Sequence, residues 1–330
     1  MSHNRKKYIK FLIILILLLA SIGIIFAAVR STRSQTSVTR RGGASQVDTS
    51  EWEDTILYHG KTYRRRQDVK TILFLGVDDT QQVHQNGVVG NRGRTDTLML
   101  FLVERTTHQI RLLQIPRDSM VDVDVYDDSG EYVFTGNMQI NMQYAFGYDD
   151  KNSCDLTAEK VSNLLYGTPI DYCMALKLDG IAKLVETIGG IHVILPEDYT
   201  EIDPSYVKGA EITFNGASAE RFVRYRDISK SGSNNNRINR QSWLITELFR
   251  QLRQDSGKLN KLMAFIQGNH KDYYSDIDSD ILDRLVEYTF VEEVNVVPGE
   301  IKQGISTEEY YVDDDALRDQ MMALFYEIVE

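Results

Sequence analysis

The chain has 330 residues, 42% of them hydrophobic, and a formal net charge of −11, enough for one large domain or two small ones with a packed core. The charge is unevenly divided: residues 1–47 hold no acid and eight bases (Arg5, Lys6, Lys7, Lys10, Arg30, Arg33, Arg40 and Arg41), which leaves −19 for the rest. So acidic a remainder excludes a general nucleic-acid binder, which needs a cationic footprint, and an anionic ligand would have to be met by a local arginine cluster or a metal.

Residues 1–10 form a short basic N-terminus. Phe11–Val29 is an uncharged apolar run of 19 residues. At about 1.5 Å per residue, such a run just crosses a hydrocarbon core. It is longer than the usual apolar core of a signal peptide and no A-x-A site follows it, so a retained transmembrane helix is predicted rather than a cleaved leader. Four basic residues lie on each side of the run, which leaves the positive-inside rule nearly neutral on orientation. Residues 30–54 are rich in Ser, Thr, Arg, Gln and Gly and read as a flexible tether. Residues 55–330 then form the folded domain.

That domain opens with a hairpin: Thr55–Tyr58, a His59-Gly60 turn, and Lys61–Tyr63. Three apolar runs follow, each ending or beginning at charge. Thr71–Val77 runs into Asp78-Asp79. Gly93-Arg94-Thr95-Asp96 leads into Thr97–Val103. Ile110–Ile115 stops at Pro116-Arg117-Asp118. Short continuous apolar runs bounded by turn signals predict strands covered on both faces. If adjacent, they bring Asp78, Asp96, Arg94, Arg117 and Asp118 to one sheet edge. Carboxylates beside guanidinium groups suit a hard cation bound together with a phosphorylated ligand. Residues 81–93 contain Gly87, Gly90 and Gly93 but match no phosphate-loop pattern, so a mobile loop is expected there.

Asp122–Gly136 reads as an exposed acidic hairpin. Asp155 is placed as the cap of a helix with Val161, Leu164 and Leu165 inside, ended by Gly167. Tyr172–Leu178 reads as a strand. Ile181, Leu184, Val185 and Ile188 mark an amphipathic helix closed by Gly189-Gly190, and Ile191–Leu195 is a further strand. Asn215-Gly216 opens a helix through Arg224. A long helix is expected from about Arg237 to Gln254, with Ile238, Ile245, Phe249 and Leu252 on one face. Arg237 and Gln241 share another, with Arg240 beside them. The last third reads as a helix around Leu282–Val286, a strand Val294–Val297, and a final helix through Leu317, Met321, Leu324 and Ile328. Strands alternating with helices predict an α/β sandwich. Cys154 and Cys173 show no C-x-x-C spacing, and packed thiols are expected rather than zinc ligands or a disulfide. Val161, Leu165, Ile181 and Val185 are taken as ordinary core.

Gly76-Val77-Asp78, Arg94-Thr95-Asp96-Thr97 and Ile115-Pro116-Arg117-Asp118, in this order and spacing, make the chain resemble the LytR-CpsA-Psr family of cell-wall polymer ligases of mainly Gram-positive bacteria. Tyr144-Ala145-Phe146-Gly147, Thr168–Tyr172, Leu178-Asp179-Gly180, Gly189-Gly190-Ile191, Phe214-Asn215-Gly216, Arg224-Tyr225-Arg226 and Arg237–Gln241 continue the likeness over residues 70–250. The resemblance implies a central mixed β-sheet between helix layers, here preceded by one transmembrane helix, with an apolar channel for a polyprenyl chain. It implies transfer of a glycan phosphate from an undecaprenyl-pyrophosphate carrier onto peptidoglycan, at the C6 hydroxyl of N-acetylmuramic acid. Wall teichoic acid, capsule and other wall glycans are all candidate cargo. On that reading the N-terminus is cytoplasmic and the domain extracellular.

By the same resemblance, Asp78 and Asp96 hold Mg²⁺. Arg94, Arg117, Arg224 and Arg226 clamp the pyrophosphate, Arg237 and Gln241 add polar contacts, and Asp118 or Asp96 is left to act as base, or the metal alone activates the acceptor. Two positions depart from the family pattern. Gln139 stands where a lysine is frequent, and Asn234 where an acid is frequent, so Asn234 cannot serve as the base. A pyrophosphatase with water as acceptor would use the same clamp and metal; a non-catalytic lipid-binding regulator of the envelope is a third reading, against which Asp78, Asp96 and the arginines favour an enzyme. Alone, Arg117-Asp118 also reads as a local ion pair, and Arg224 and Arg226 as partners of surface acids, since Glu220 and Asp227 lie nearby in the sequence.

Overall fold

The computed structural model describes residues 55–78, 93–225, 227, 233–268, 272–277, 281, 284–285, 287–304 and 307–329. The expected transmembrane helix 11–29, the tether 30–54 and all of the loop 81–93 except Gly93 lie outside them. Among the described residues no helix is long and apolar enough to cross a membrane.

The opening hairpin forms as expected, from β1 (Thr55–Tyr58) and β2 (Lys61–Arg65). Its two turn residues, His59 and Gly60, both take positive φ, 47° and 75°, the backbone twist that a two-residue hairpin favours. The central sheet has six strands. They are β3 (Val69–Asp78), β4 (Arg94–Glu104), β5 (Gln109–Ile115), β8 (Tyr172–Lys177), β11 (Tyr273–Ser275) and β12 (Thr289–Val296). Their order is β11-β8-β3-β4-β5-β12. β3, β4 and β5 are successive antiparallel neighbours, while β8 joins β3 and β12 joins β5 in parallel. The sheet is therefore mixed, with β3 and β4 at its centre.

Helices cover both faces, which is why β4 is buried at every position from Thr97 to Glu104 and reads as an unbroken apolar run. One face carries α1 (Asp150–Leu164), the 3₁₀ helix Ile140–Phe146 and α6 (Asp314–Phe325). Leu73, Leu98 and Leu100 pack there with Cys154, Val161 and Leu317. The other face carries α2 (Leu178–Thr187), α3 (Gly216–Arg224), α4 (Ser233–Gln254) and α5 (Ser256–Gly268), with Leu176, Leu184, Phe222 and Leu244 in its core. Cys154 and Cys173 are free and buried, as packed thiols should be. The acidic hairpin also forms, from β6 (Met120–Tyr126) and β7 (Tyr132–Gln139), and two further antiparallel pairs are β9 (Ile191–Ile194) with β10 (Glu211–Phe214) and β13 (Gly299–Gln303) with β14 (Glu308–Val312).

Three expectations are corrected. α1 begins at Asp150, and its cap is Asp149, whose side chain accepts from Asn152 N at 2.7 Å. Asp155 therefore lies inside the helix and pairs with Lys151 one turn earlier. The final helix stops at Phe325, and Ile328 belongs to β15 (Tyr326–Ile328). The chain turns out there because β2 offers a free edge, and Arg64 fixes the pairing with two bonds to Glu327 Oε1, at 2.6 and 3.2 Å. Lastly, α5 and β11 are elements that the sequence reading omits, although Leu262 and Phe265 stand at the i, i+3 spacing of a helix face.

α2 and α3 meet at Gly216, the first residue of α3. A Cβ built there would lie 2.3 Å from the Ala182 carbonyl oxygen and 2.8 Å from Glu186 Cγ. Gly216→Ala should therefore lower stability by roughly 1–3 kcal/mol, the usual cost of overpacking. Urea denaturation measures this, and a midpoint equal to the parent's would contradict the close approach.

Candidate active site

The three strand ends converge as expected. Asp78 ends β3, Arg94 and Asp96 begin β4, and Arg117 and Asp118 follow β5. The β3–β4 register is irregular at this point. Gly76 faces Thr97 and Val77 faces Thr95, so Asp96 has no residue opposite it. This bulge re-aims Asp96 away from the regular alternation of the strand. The Asp96 carboxylate accepts from Arg117 Nη1 through Oδ1 and from Arg237 Nη1 through Oδ2, the latter at 3.2 Å. Arg237 reaches it from α4 with a side chain only 6% exposed.

The segment that carries Arg117 is held through its backbone. The Pro116 carbonyl accepts from Ser119 N and Oγ, at 3.0 and 2.7 Å. The Arg117 carbonyl accepts from Asn141 N at 3.1 Å and the Asp118 carbonyl from Tyr310 N at 2.9 Å. Three successive carbonyls are thus pinned, which fixes where the guanidinium leaves the chain. Arg117 Nε lies 3.4 Å from Asp118 Oδ1, so the local ion pair is present alongside the one to Asp96.

Asp78 is half-buried, and its Oδ1 is buried without a hydrogen-bond partner among the described residues. Burial pushes its carboxyl pKa up, the negative charge of Asp96 pushes it further, and Arg224, Arg117 and Arg237 pull against both. Arg224, the last residue of α3, places Nη1 3.2 Å from Glu220 Oε1, so that local pair also exists, within electrostatic reach of Asp78. Arg94 is exposed and stands opposite Asp78 in the register. Arg226 and the Asn234 side chain lie outside the described residues. Gln241 is buried with both ends of its amide engaged: Oε1 accepts from Thr97 Oγ1 at 2.8 Å, and Nε2 donates to the Val223 carbonyl at 3.1 Å. It ties β4, α3 and α4 together where it lines the cavity beside the charges. Gln139 is similarly committed, donating to the Glu308 carbonyl at 2.8 Å.

An apolar cavity of about 130 Å³ adjoins this cluster on the α2–α5 face of the sheet. Phe74, Met174, Ile181, Val185, Leu244 and Leu248 are among its walls, and Gly76, Thr97 and Gln241 line it nearest the charges. Ile181 and Val185, expected to be ordinary core, are cavity wall, whereas Val161 and Leu165 pack on the opposite face as core. At about 24 cal/mol per Å³, a void of this size costs roughly 3 kcal/mol against a filled core. A domain is stable by only about 5–15 kcal/mol, so the cavity is an expensive feature for packing alone.

Among the described residues, no group of three or more His, Cys, Asp or Glu side chains gathers as a metal site. Mg²⁺, however, is commonly held by one or two carboxylates and keeps its remaining waters. The partnerless Asp78 Oδ1 beside the Asp96 carboxylate fits such a cation. With its charged edge and apolar cavity, the site is shaped for an amphiphile whose head is anionic and whose tail is hydrocarbon.

The model of the LytR_cpsA_psr family matches residues 27–323. The chain belongs to the LytR-CpsA-Psr family. It is 30% identical over 200 residues to the polyisoprenyl-teichoic acid–peptidoglycan teichoic acid transferase TagV of Bacillus subtilis, an alignment covering 58% of this chain and 46% of TagV. TagU of the same organism is 30% identical over 168 residues, 51% of this chain and 47% of TagU. The chain thus spans about half the length of these curated relatives. Among solved structures, B. subtilis TagU is similar with a TM-score of 0.55 and 23% identity, covering 78% of this chain and 96% of that one. TagT bound to LI-WTA is similar with a TM-score of 0.57 and 17% identity, covering 78% and 90%. These likenesses establish the mixed α/β fold.

The buried, partnerless oxygen of Asp78 generates a prediction. Its carboxylate is unfavourable in the ligand-free protein, so Asp78→Asn should leave the thermal midpoint, measured in chelator, equal to or above the parent's. A clear fall in the midpoint would show that Asp78 serves the fold instead.

Proposed function

We propose that this protein is a membrane-anchored phosphotransferase that moves a glycan phosphate from an undecaprenyl-pyrophosphate carrier onto peptidoglycan, at the C6 hydroxyl of N-acetylmuramic acid. The observation that carries the reading is the junction of a two-carboxylate, multi-arginine edge with an apolar cavity in one sheet. A polyprenyl tail needs the cavity, and a pyrophosphate needs the edge. Family membership supports the same class of reaction, as do relatives named teichoic acid transferases. Phe11–Val29 would hold the domain at the outer membrane surface, next to lipid-borne donor and wall acceptor.

In this reaction the acceptor hydroxyl oxygen forms a bond to the phosphorus that carries the glycan. The bond from that phosphorus to the bridging oxygen of the pyrophosphate breaks. Polyprenyl phosphate leaves with the bridging oxygen and its electron pair, and the hydroxyl proton passes to a base. Arg117 and Arg237 neutralise charge on the pyrophosphate, held in place by Asp96, and Arg224 extends the clamp from the end of α3, with Arg226 following it in the sequence as a further candidate contact. Such charge-assisted contacts contribute about 1.5–3 kcal/mol each, and positioned charge is most of what phosphoryl transfer asks of a protein. Asp118, which pairs with Arg117, or Asp96 would take the proton. Asp78 and Asp96 would hold Mg²⁺, which when bound supplies further charge neutralisation at the transferred phosphate.

The test is a product assay with a lipid-linked glycan donor, Mg²⁺ titrated, with and without peptidoglycan. The expected products are polyprenyl phosphate and glycan joined to the wall through a phosphodiester, only when acceptor is present. Release of glycan phosphate to water at the same rate without acceptor would favour a pyrophosphatase instead. Asp96→Asn keeps the shape of the side chain and should remove the Mg²⁺-dependent rate; parental turnover in that variant would sink the metal assignment.

A further inference from the structure

Arg240 is 4% exposed, yet among the described residues no carboxylate lies within ion-pair distance of it. A guanidinium cannot shed its charge in a protein, and burial pulls its pKa down. Its hydrogen bonds go to neutral groups, while the Glu201 carboxylate favours its charge from beyond ion-pair distance. Nε donates to the Phe222 carbonyl at 3.2 Å and Nη2 donates to the Tyr225 carbonyl. The Phe222 and Tyr225 rings each stand 5.8 Å from its Cζ.

The Phe222 carbonyl belongs to the last turn of α3, where helix oxygens have no intrahelical donor and the helix dipole is negative, and the Tyr225 carbonyl to the residue that caps it. The neighbouring Gln241 takes the Val223 carbonyl between them. Two adjacent side chains of α4 therefore grip the carbonyls of residues 222, 223 and 225, and Arg224 stands inside that grip. One turn earlier on α4, Arg237 is fixed on Asp96. The end of α3 is thereby referred to the same helix that is locked onto the strand edge.

We propose that Arg240 is a positioning residue for the transfer: its guanidinium fork fixes the end of α3 so that Arg224 is presented to the anionic head of the donor. This rests on the reading of Arg224 as a phosphate contact. The two carbonyls are three residues apart and are engaged by two separate guanidinium nitrogens. A lysine is a single point charge without that fork. It can keep a buried positive charge near the helix end without holding both carbonyls.

The test compares Arg240→Lys, Arg224→Ala and the double variant in the full-length protein, using a polyprenyl-pyrophosphate-linked glycan as donor and correcting rates for the folded fraction. Misplacing a contact by about 1 Å can cost about a hundredfold. Arg240→Lys is therefore expected to lower kcat/KM for the donor about ten- to a hundredfold, with KM for peptidoglycan unchanged. Arg224→Ala should show a comparable loss, and the double variant should be no worse than Arg224→Ala alone, because coupled sites are non-additive. If Arg240→Lys does not accumulate, Arg240→Gln carries the same comparison. Parental kcat/KM in the Arg240 variant, with only a lower thermal midpoint, would reduce Arg240 to a structural part and overturn the proposal. So would additive losses in the double variant, which leave the Arg224 reading standing. Parental activity in Arg224→Ala would overturn that reading and the proposal with it.

Discussion

Asp96 carries a guanidinium on each of its oxygens, one from the end of β5 and one from α4. Removing one partner of a buried ion pair costs about 3–5 kcal/mol, because the other is left uncompensated. With Arg237 almost wholly buried, the site therefore depends on Asp96 to keep two cations close together at the sheet edge. Each carboxylate oxygen has more than one lone pair, so the same group can hold its arginines and still offer oxygen to a cation. The β-bulge makes this possible, since a regular β4 would place Asp96 opposite a residue of β3 and alternate it with its neighbours.

From that junction the remaining parts follow. β3 ends one residue from the bulge, which puts Asp78 beside Asp96 and raises its carboxyl pKa through burial and like charge. Gly76, facing Thr97, marks where the charged edge gives way to the apolar cavity. A Cβ there would come within 3.0 Å of Thr97 Cβ. The cavity lowers stability and the Asp78 carboxylate lowers it again. Both are features that a ligand would repay, and the pinned carbonyls of Pro116, Arg117 and Asp118 keep the edge rigid while it waits for one.

Much of this was legible in the residues. The unbroken apolar runs identified β3, β4 and β5, and the charges at their ends marked a common edge. Asn215 and Ser218 form the capping box that starts α3, so Arg224 was correctly placed at a helix end. What could not be read is the direction in which side chains turn. Gln241 shares a helix face with Arg237, but its amide turns to Thr97 and the Val223 carbonyl. Arg240 looked like a bystander, and only the packing of α3 on α4 gives its donors their carbonyls. The cavity was illegible because Ile181 and Val185 show the same periodicity whether they line a void or fill a core. Ile328 kept the helical spacing, but the open edge of β2 decided its structure.

The central claim is that one sheet edge holds the head of a lipid-linked donor while the adjoining cavity holds its tail. A crystal structure of the protein with a polyprenyl pyrophosphate and Mg²⁺ tests it most directly. The account predicts phosphate oxygens in contact with Arg117 and Arg224 beside Asp78, and prenyl carbons packed against Phe74, Ile181, Val185 and Leu248. A ligand bound with its tail outside this cavity, or with its phosphates away from Asp78 and Arg117, would contradict it.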